Sequence, residues 1–146
     1  MYSIRPWLYV GKYRETKDAD LLRQHQIGAM LQLAEGVELP GITSLFIFVE
    51  DGVPLPIDAL RKGVEFVRSE KAQGHNVLIA CGAGISRSVA FAVAVLKEEE
   101  DLSLREALAQ VRAKHPEAMP HPALLKSLSE YYGEDVPYTI LVENIQ

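Results

Sequence analysis

The chain is short of cysteine, of basic residues and of long apolar segments, and each shortage excludes a class of structure or function. Its 146 residues include one cysteine, which excludes an intrachain disulfide and a redox switch that pairs two cysteines. No apolar run approaches the roughly 20 residues that span a bilayer. Against 20 Asp and Glu there are only 15 Lys and Arg. The resulting net charge of −5 argues against nucleic acid as the main partner, because backbone binding needs basic surfaces.

The remaining composition is that of one globular unit without a membrane segment. A chain of this length buries roughly 70% of its unfolded surface, so residues 1–146 are predicted to form a single domain. Residues 1–6 lack the apolar core of a secretory signal, and the expected location is cytoplasmic. The four histidines lack the paired spacing of a metal site, so solvated or structural roles are predicted for them, with no metal or other cofactor.

Strand patterns alternate with helix patterns along the chain, which predicts an α/β fold with a mainly parallel central sheet flanked by helices. Strands are predicted at Leu45–Val49 and Val77–Ile79. One helix is predicted where apolar residues recur at helical spacing, at Ile57, Leu60, Val64 and Val67. A second is predicted to begin at the capping box that starts at Ser103. A third is predicted to begin at Pro122 and to end at Gly133.

Two segments are harder to assign from the sequence. Val136–Val142 is compatible with an added strand or with an ordered tail, and the pattern does not choose between them. Lys97–Asp101 is a run of five charged residues, which is typical of a solvated helix end.

The single cysteine lies where a predicted strand meets a predicted helix. Val77–Ile79 precedes Cys81, and the apolar residues Val89–Leu96 continue as a helix. The first amides of a helix have no intrahelical partner and attract anions, and Gly82 and Gly84 allow the intervening loop to curl around one. The same amides favour the thiolate of Cys81, which is its nucleophilic form.

An arginine six positions after the cysteine strengthens this interpretation. The planar guanidinium of Arg87 can hold two oxygens of a phosphoryl group at once. A lone cysteine in an apolar segment is more often an inert buried thiol. The combination of Cys81, Arg87 and the hydroxyl of Ser88 between a strand and a helix makes a phosphate pocket the better interpretation.

With these residues the chain resembles the cysteine-dependent protein tyrosine phosphatase superfamily, whose signature is Cys-x5-Arg followed by Ser or Thr. Residues 83–88 are similar to the form used by the dual-specificity branch. The similarity extends from Trp7–Gly11, which resembles the family's opening strand, through Ile27–Leu33, which resembles its next strand, to the link at Pro120–Leu125. The resemblance implies that Cys81 is the nucleophile and that the hydroxyl of Ser88 stabilises its sulfur as a leaving group. It implies phosphate binding by Gly82, Ala83, Gly84, Ile85, Ser86 and Arg87.

The resemblance also implies a general acid on a loop about thirty residues before the cysteine. Asp51 lies at this separation, after the predicted strand Leu45–Val49 and before a Pro-containing loop. By itself an Asp-Gly pair after a strand is usually only a turn. The leaving oxygen must be protonated as its bond to phosphorus breaks, so Asp51 is predicted to be the acid, with Glu50 as the alternative.

One position departs from the family pattern. Ala80 stands where the family usually has a histidine that orders the loop, and none of the four histidines is placed to substitute for it directly. This departure leaves a non-catalytic phosphate-binding module as an alternative to an active enzyme.

The resulting functional prediction is a phosphatase that hydrolyses phosphate monoesters through a phosphocysteine intermediate. Its predicted partner is a phosphorylated protein, with phosphotyrosine preferred over phosphoserine and phosphothreonine, or a small phosphomonoester. A phosphoinositide is less favoured, because loop residues 82–86 carry no charge. A sulfurtransferase also uses a loop cysteine, usually in a shorter loop, and remains a further alternative.

Overall fold

The computed structural model describes residues 1–143. Within that part of the chain, no helix is both long and apolar enough to cross a membrane. The elements in chain order are β1 Tyr2–Arg5, β2 Leu8–Lys12, a 3₁₀ turn at Tyr13–Lys17, α1 Ala19–Gln24, β3 Ile27–Gln32, β4 Thr43–Phe46, α2 Ile57–Ala72, β5 Asn76–Cys81, α3 Arg87–Glu100, α4 Leu104–Lys114, α5 Pro122–Tyr132 and α6 Thr139–Glu143.

The strands form one five-stranded sheet in the order β1-β2-β5-β3-β4. β5 lies at its centre and pairs in parallel with both β2 and β3. β4 adds to β3 in parallel, and only β1 is antiparallel to its neighbour. The predicted α/β fold with a mainly parallel sheet and flanking helices is therefore confirmed.

The two faces of β5 belong to different parts of the core. Val77, Ile79 and Cys81 contribute to the larger apolar cluster, which is formed with residues of α2, α3, α4 and α5. Leu78 and Ala80 contribute to the smaller cluster, which includes Leu22 of α1. Because side chains alternate along a strand, Cys81 and Ala80 point to opposite sides of the sheet.

The prediction of a strand over Leu45–Val49 is wrong in its extent. β4 ends at Phe46, because its partner β3 ends at Gln32 and the regular ladder stops there. Two further amides still reach β3 and the residue after it: Ile47 donates to the Gln32 carbonyl and Val49 donates to the Leu33 carbonyl, both at 2.9 Å. These bonds carry the chain in extended form to the loop that holds Asp51.

Two details of the helices also differ from the prediction. In α2, Leu60, Val64 and Val67 are buried as expected, whereas Ile57 is half exposed at the first helical position. In the C-terminal segment, the strand alternative for Val136–Val142 is wrong, since Thr139–Glu143 forms the short helix α6. Pro137 precedes it and lacks the amide hydrogen that a sheet ladder requires.

The charged run Lys97–Asp101 ends α3, and Glu100 and Asp101 are exposed, as predicted for a solvated helix end, whereas Lys97–Glu99 are partly buried. Glu99 accepts hydrogen bonds from Arg68 at 3.2 Å and from Lys71 at 3.0 Å, which join the end of α3 to α2. Glu100 pairs with Arg5 of β1 at 2.8 Å. The run therefore connects α3 to two neighbouring elements, and the Lys71 ammonium and the Arg68 guanidinium hold the pKa of the Glu99 carboxyl below its ordinary value.

These carboxylates predict a loss of stability in acid. Because the pKa of Glu99 is lower in the folded chain than in the unfolded chain, its contribution is present above the unfolded pKa and is lost as the pH falls through the folded pKa. Glu99→Gln should lower the free energy of unfolding by about 0.5–1 kcal/mol at pH 7 and by less near pH 3. Denaturant titrations at the two pH values measure this difference.

Glu130→Gln is the matched control for this prediction. Glu130 pairs with Lys126 at 3.9 Å, and both side chains are more than two-thirds exposed, so this change should leave the pH dependence unaltered. Equal effects of the two substitutions would show that the pairs of Glu99 add nothing to stability.

Candidate active site

The loop between β5 and α3 forms the floor of the candidate site. Cys81 is the last residue of β5 and Arg87 the first of α3, so five residues connect a central parallel strand to a helix N-terminus. The Cys81 side chain is 2% exposed. Its position at the carboxyl edge of the sheet is where open α/β folds bind ligands.

The carbonyl groups of this loop are held from outside by three hydrogen bonds. The carbonyl of Gly82 accepts from the Tyr13 amide at 3.3 Å, that of Gly84 from His115 Nε2 at 2.8 Å, and that of Ile85 from the Met119 amide at 2.9 Å. In a trans peptide the next N–H points opposite to the carbonyl. The amides of Ala83, Ile85 and Ser86 therefore point to the inside of the loop, where they form a cradle for an anion.

Gly84 is required by the path of the loop. Its φ is +72°, and a Cβ built on it would lie 2.8 Å from the carbonyl oxygen of Gly11. Both the backbone conformation and the close approach to β2 therefore exclude a side chain at this position. The predicted role of Gly84 in letting the loop curl agrees with this geometry.

The guanidinium group of Arg87 is held by the chain after β4 and lies beside Gly82 of the loop. Nη1 donates a hydrogen bond to the Val49 carbonyl at 2.9 Å, and Nη2 lies 3.1 Å from where a Cβ of Gly82 would stand. An arginine has five N–H groups, and within residues 1–143 this is the one hydrogen bond that the side chain makes. The other donors are available to a ligand in the adjacent cavity, which Arg87 lines.

Ser88 lies beside the sulfur, as the resemblance implies. Its side chain is fully buried, and its Oγ is 3.2 Å from Cys81 Sγ. When Cys81 is a thiolate the sulfur can only accept, so the Ser88 hydroxyl is then the donor.

Asp51 comes to the same cavity from the loop after β4. The cavity has a volume of about 320 Å³ and is lined by Asp51, Cys81, Ala83, Ile85, Ser86, Arg87, Met119, His121 and Pro122. Asp51 Oδ1 accepts a hydrogen bond from Ser86 Oγ at 2.7 Å. The Ser86 oxygen in turn accepts from the His121 amide at 2.9 Å. The structure thus brings Asp51 to the cysteine loop, whereas Glu50 is not among the lining residues.

Sequence reasoning missed the contribution of the link between α4 and α5. The link supplies His115, Met119 and His121, all three of which bond the loop, and α5 begins at Pro122 directly after it. Met119, His121 and Pro122 line the cavity. His121 is exposed and caps α5, in line with the predicted solvated or structural role, and it also lines the cavity. The similarity of Pro120–Leu125 to the dual-specificity branch indicated this link, but it did not indicate that the link contacts the cysteine loop.

The ring of His121 has a defined orientation. Its Nδ1 accepts a hydrogen bond from the Ala123 amide at 3.0 Å, so in the neutral ring the proton is on Nε2. That nitrogen lies 3.6 Å from where a Cβ of Gly52 would stand, beside the Asp51 loop.

Among the residues that the structure describes, no group of three or more His, Cys, Asp or Glu side chains is arranged to hold a metal ion.

Comparison with known proteins gives consistent matches over most of the chain. The family model "Dual specificity phosphatase, catalytic domain" matches residues 8–134. Dual specificity protein phosphatase 15 of Mus musculus is 33% identical over 134 residues, which cover 90% of this chain and 57% of the relative. Dual specificity protein phosphatase 19 of Mus musculus is 32% identical over 133 residues, which cover 88% and 60%. The chain thus spans less than two-thirds of the length of these curated relatives.

Solved structures give the same result for the fold. The crystal structure of DUSP15 superposes with a TM-score of 0.83 at 30% identity and covers 90% of this chain and 86% of that one. That of human DUSP28 superposes with a TM-score of 0.85 over 91% and 96% of the two chains, and its 23% identity supports the fold alone. The resemblance indicated by the cysteine loop is confirmed: the chain belongs to the family of dual specificity phosphatase catalytic domains.

Proposed function

We propose that this protein hydrolyses phosphate monoesters of phosphorylated proteins through a phosphocysteine intermediate. The observation that carries the proposal is that Asp51 and Cys81 line one cavity, with Asp51 held there by Ser86. Phosphate binding needs only the loop amides and Arg87. Efficient turnover also needs a proton donor for the leaving oxygen, and the cavity supplies one.

In the first step the thiolate of Cys81 attacks phosphorus in line with the leaving oxygen. The Arg87 guanidinium and the inward amides of the loop bind the three non-bridging oxygens. As the bond between phosphorus and the leaving oxygen breaks, Asp51 transfers its proton to that oxygen. The products are a free alcohol or phenol and a phosphorylated Cys81.

In the second step water attacks the phosphorus of the phosphocysteine. The Asp51 carboxylate accepts a proton from the water, and the bond between sulfur and phosphorus breaks. Cys81 leaves as a thiolate, which the Ser88 hydroxyl at 3.2 Å stabilises by donating a hydrogen bond. Release of inorganic phosphate then restores the starting site.

The lining of the cavity favours phosphotyrosine as the first substrate, with phosphoserine and phosphothreonine second. Loop residues 82–86 add no charged side chain, so a highly anionic head group gains no further ion pair there. Ile85 and Met119 line the cavity and offer apolar contacts to an aromatic ring. Two further predictions stand with this substrate preference: residues 1–146 form a single domain, and the protein is located in the cytoplasm.

A non-catalytic phosphate-binding module is the second candidate. It rests on Ala80, whose methyl group lies in the smaller apolar cluster and makes no polar contact with the loop. The oxyanion cradle does not depend on the Ala80 side chain, because the carbonyl groups of the cysteine loop are held by Tyr13, His115 and Met119. Binding of an oxyanion without turnover would identify the module.

The test is hydrolysis by the purified protein of p-nitrophenyl phosphate, matched phosphotyrosine and phosphothreonine peptides, a phosphoinositide and a small phosphomonoester. We expect turnover of p-nitrophenyl phosphate and the highest kcat/KM on the phosphotyrosine peptide. Quenching a reaction with labelled peptide in acid should leave the label on Cys81. Higher kcat/KM on the phosphoinositide or the small ester would overturn the substrate assignment, and tungstate binding without any turnover would favour the module.

A further inference from the structure

His115 is a buried polar residue behind the phosphate loop that the proposed mechanism does not use. It follows the last residue of α4 and is 1% exposed. Its Nε2 lies 2.8 Å from the carbonyl oxygen of Gly84. A carbonyl oxygen only accepts, so Nε2 carries the proton of this hydrogen bond. Nδ1 is buried and has no hydrogen-bond partner among the described residues.

The imidazole ring is fixed by its neighbours. It stacks on the Tyr2 ring with a centroid distance of 3.7 Å and an interplanar angle of 13°. The backbone on either side is also bonded: the His115 amide donates to Val111 and its carbonyl accepts from Ala118, both at 2.9 Å. The Nε2 donor is therefore presented to the loop from a position that β1 and α4 define together.

The peptide that His115 bonds follows a glycine. Gly84 has no Cβ, so the unit joining it to Ile85 can turn with little steric cost. In the observed orientation the Gly84 carbonyl points to His115 and the Ile85 amide points into the loop. The reverse orientation would place a carbonyl oxygen in the cradle, where it would repel a phosphate instead of binding it.

The side chain that precedes the cysteine does not share this task. Ala80 is apolar, and it faces the smaller cluster with Leu22 and Met30 on the other side of the sheet. The His115 side chain, by contrast, donates the hydrogen bond that keeps the Gly84 carbonyl pointing away from the inside of the loop. We propose that His115 is a positioning residue, which fixes the peptide between Gly84 and Ile85 so that the Ile85 amide binds the phosphate; this rests on the phosphate site proposed above.

A matched pair of amide substitutions tests the proposal. In His115→Gln the side-chain amide reaches as far as imidazole Nε2, whereas in His115→Asn it reaches only as far as Nδ1. The probe is inorganic tungstate, a tetrahedral oxyanion, and its affinity is measured by isothermal titration calorimetry on the full chain. We expect the Kd of His115→Asn to rise about tenfold, because one hydrogen bond to a buried carbonyl is lost. The Kd of His115→Gln should stay within twofold of the wild-type value.

Thermal unfolding of both variants separates positioning from packing. Both lose the stacked ring over Tyr2, so their melting temperatures should fall by similar amounts while their affinities differ. Equal losses of affinity, or no loss in either variant, would overturn the proposal. Tungstate binding does not depend on turnover, so a protein that binds tungstate but hydrolyses nothing would contradict the proposed function and leave the role of His115 standing.

Discussion

Cys81→Ser is expected to lower kcat for p-nitrophenyl phosphate by at least about 10⁴-fold. A serine hydroxyl is a weak nucleophile unless a neighbouring base removes its proton. The side chain that bonds Cys81 in the described part of the chain is Ser88, at 3.2 Å, and a hydroxyl is not such a base. The substitution replaces sulfur by a smaller oxygen and leaves the backbone amides in place. A steady-state assay on the purified variant measures the loss.

Two controls make this result specific to the nucleophile. Tungstate affinity should be retained in Cys81→Ser, because the cradle and Arg87 are unchanged. Ser88→Ala should instead slow the breakdown of the phosphocysteine by about tenfold, since one hydrogen bond to the leaving thiolate is lost. A Cys81→Ser variant that keeps more than a hundredth of wild-type kcat would contradict attack by Cys81.

The cysteine loop could be predicted because its information is local. Cys81, Gly84 and Arg87 lie within seven consecutive residues, and the preceding strand and following helix are visible as apolar patterns on either side. Their relative geometry follows once β5 is placed at the centre of a parallel sheet. For that reason the positions of Ser88 beside Cys81 and of Arg87 beside Gly82 follow from the spacing, whereas the catalytic roles of both residues stay predictions.

The supports of the loop could not be predicted in the same way. His115 contacts Gly84 across 31 positions of sequence, and the group it bonds is a backbone carbonyl that leaves no trace in residue identity. The same holds for Met119, whose backbone amide bonds the Ile85 carbonyl. The ion-pair partners of the charged run Lys97–Asp101 could not be predicted for a related reason, because Arg68 and Arg5 lie far away in the sequence.

Asp51→Asn should give the second largest loss of rate, and the size of the loss should depend on the leaving group. For phosphotyrosine and alkyl phosphates, whose leaving groups are strong bases, kcat should fall by about 10²–10³-fold. For an activated aryl phosphate with an acidic phenol the fall should be only a few-fold, because that phenolate leaves without a proton. The asparagine oxygen can still accept the hydrogen bond from Ser86, so the loop should keep its position.

The pH dependence of the rate is an independent test of Asp51 as the general acid. A general acid acts only in its protonated form, so the wild-type rate should fall on the alkaline side of its pH profile. Asparagine has no such proton, and the alkaline limb of the Asp51→Asn profile should be flat.

Glu50→Gln is the matched control, since Glu50 is the adjacent carboxylate and does not line the cavity. Its rates should stay within about twofold of the wild-type values. If Asp51→Asn lost the same factor for every leaving group, Asp51 would not be the proton donor to the leaving oxygen. If the alkaline limb persisted in Asp51→Asn and disappeared in Glu50→Gln, the acid would be Glu50, and the loop after β4 would have to rearrange when substrate binds.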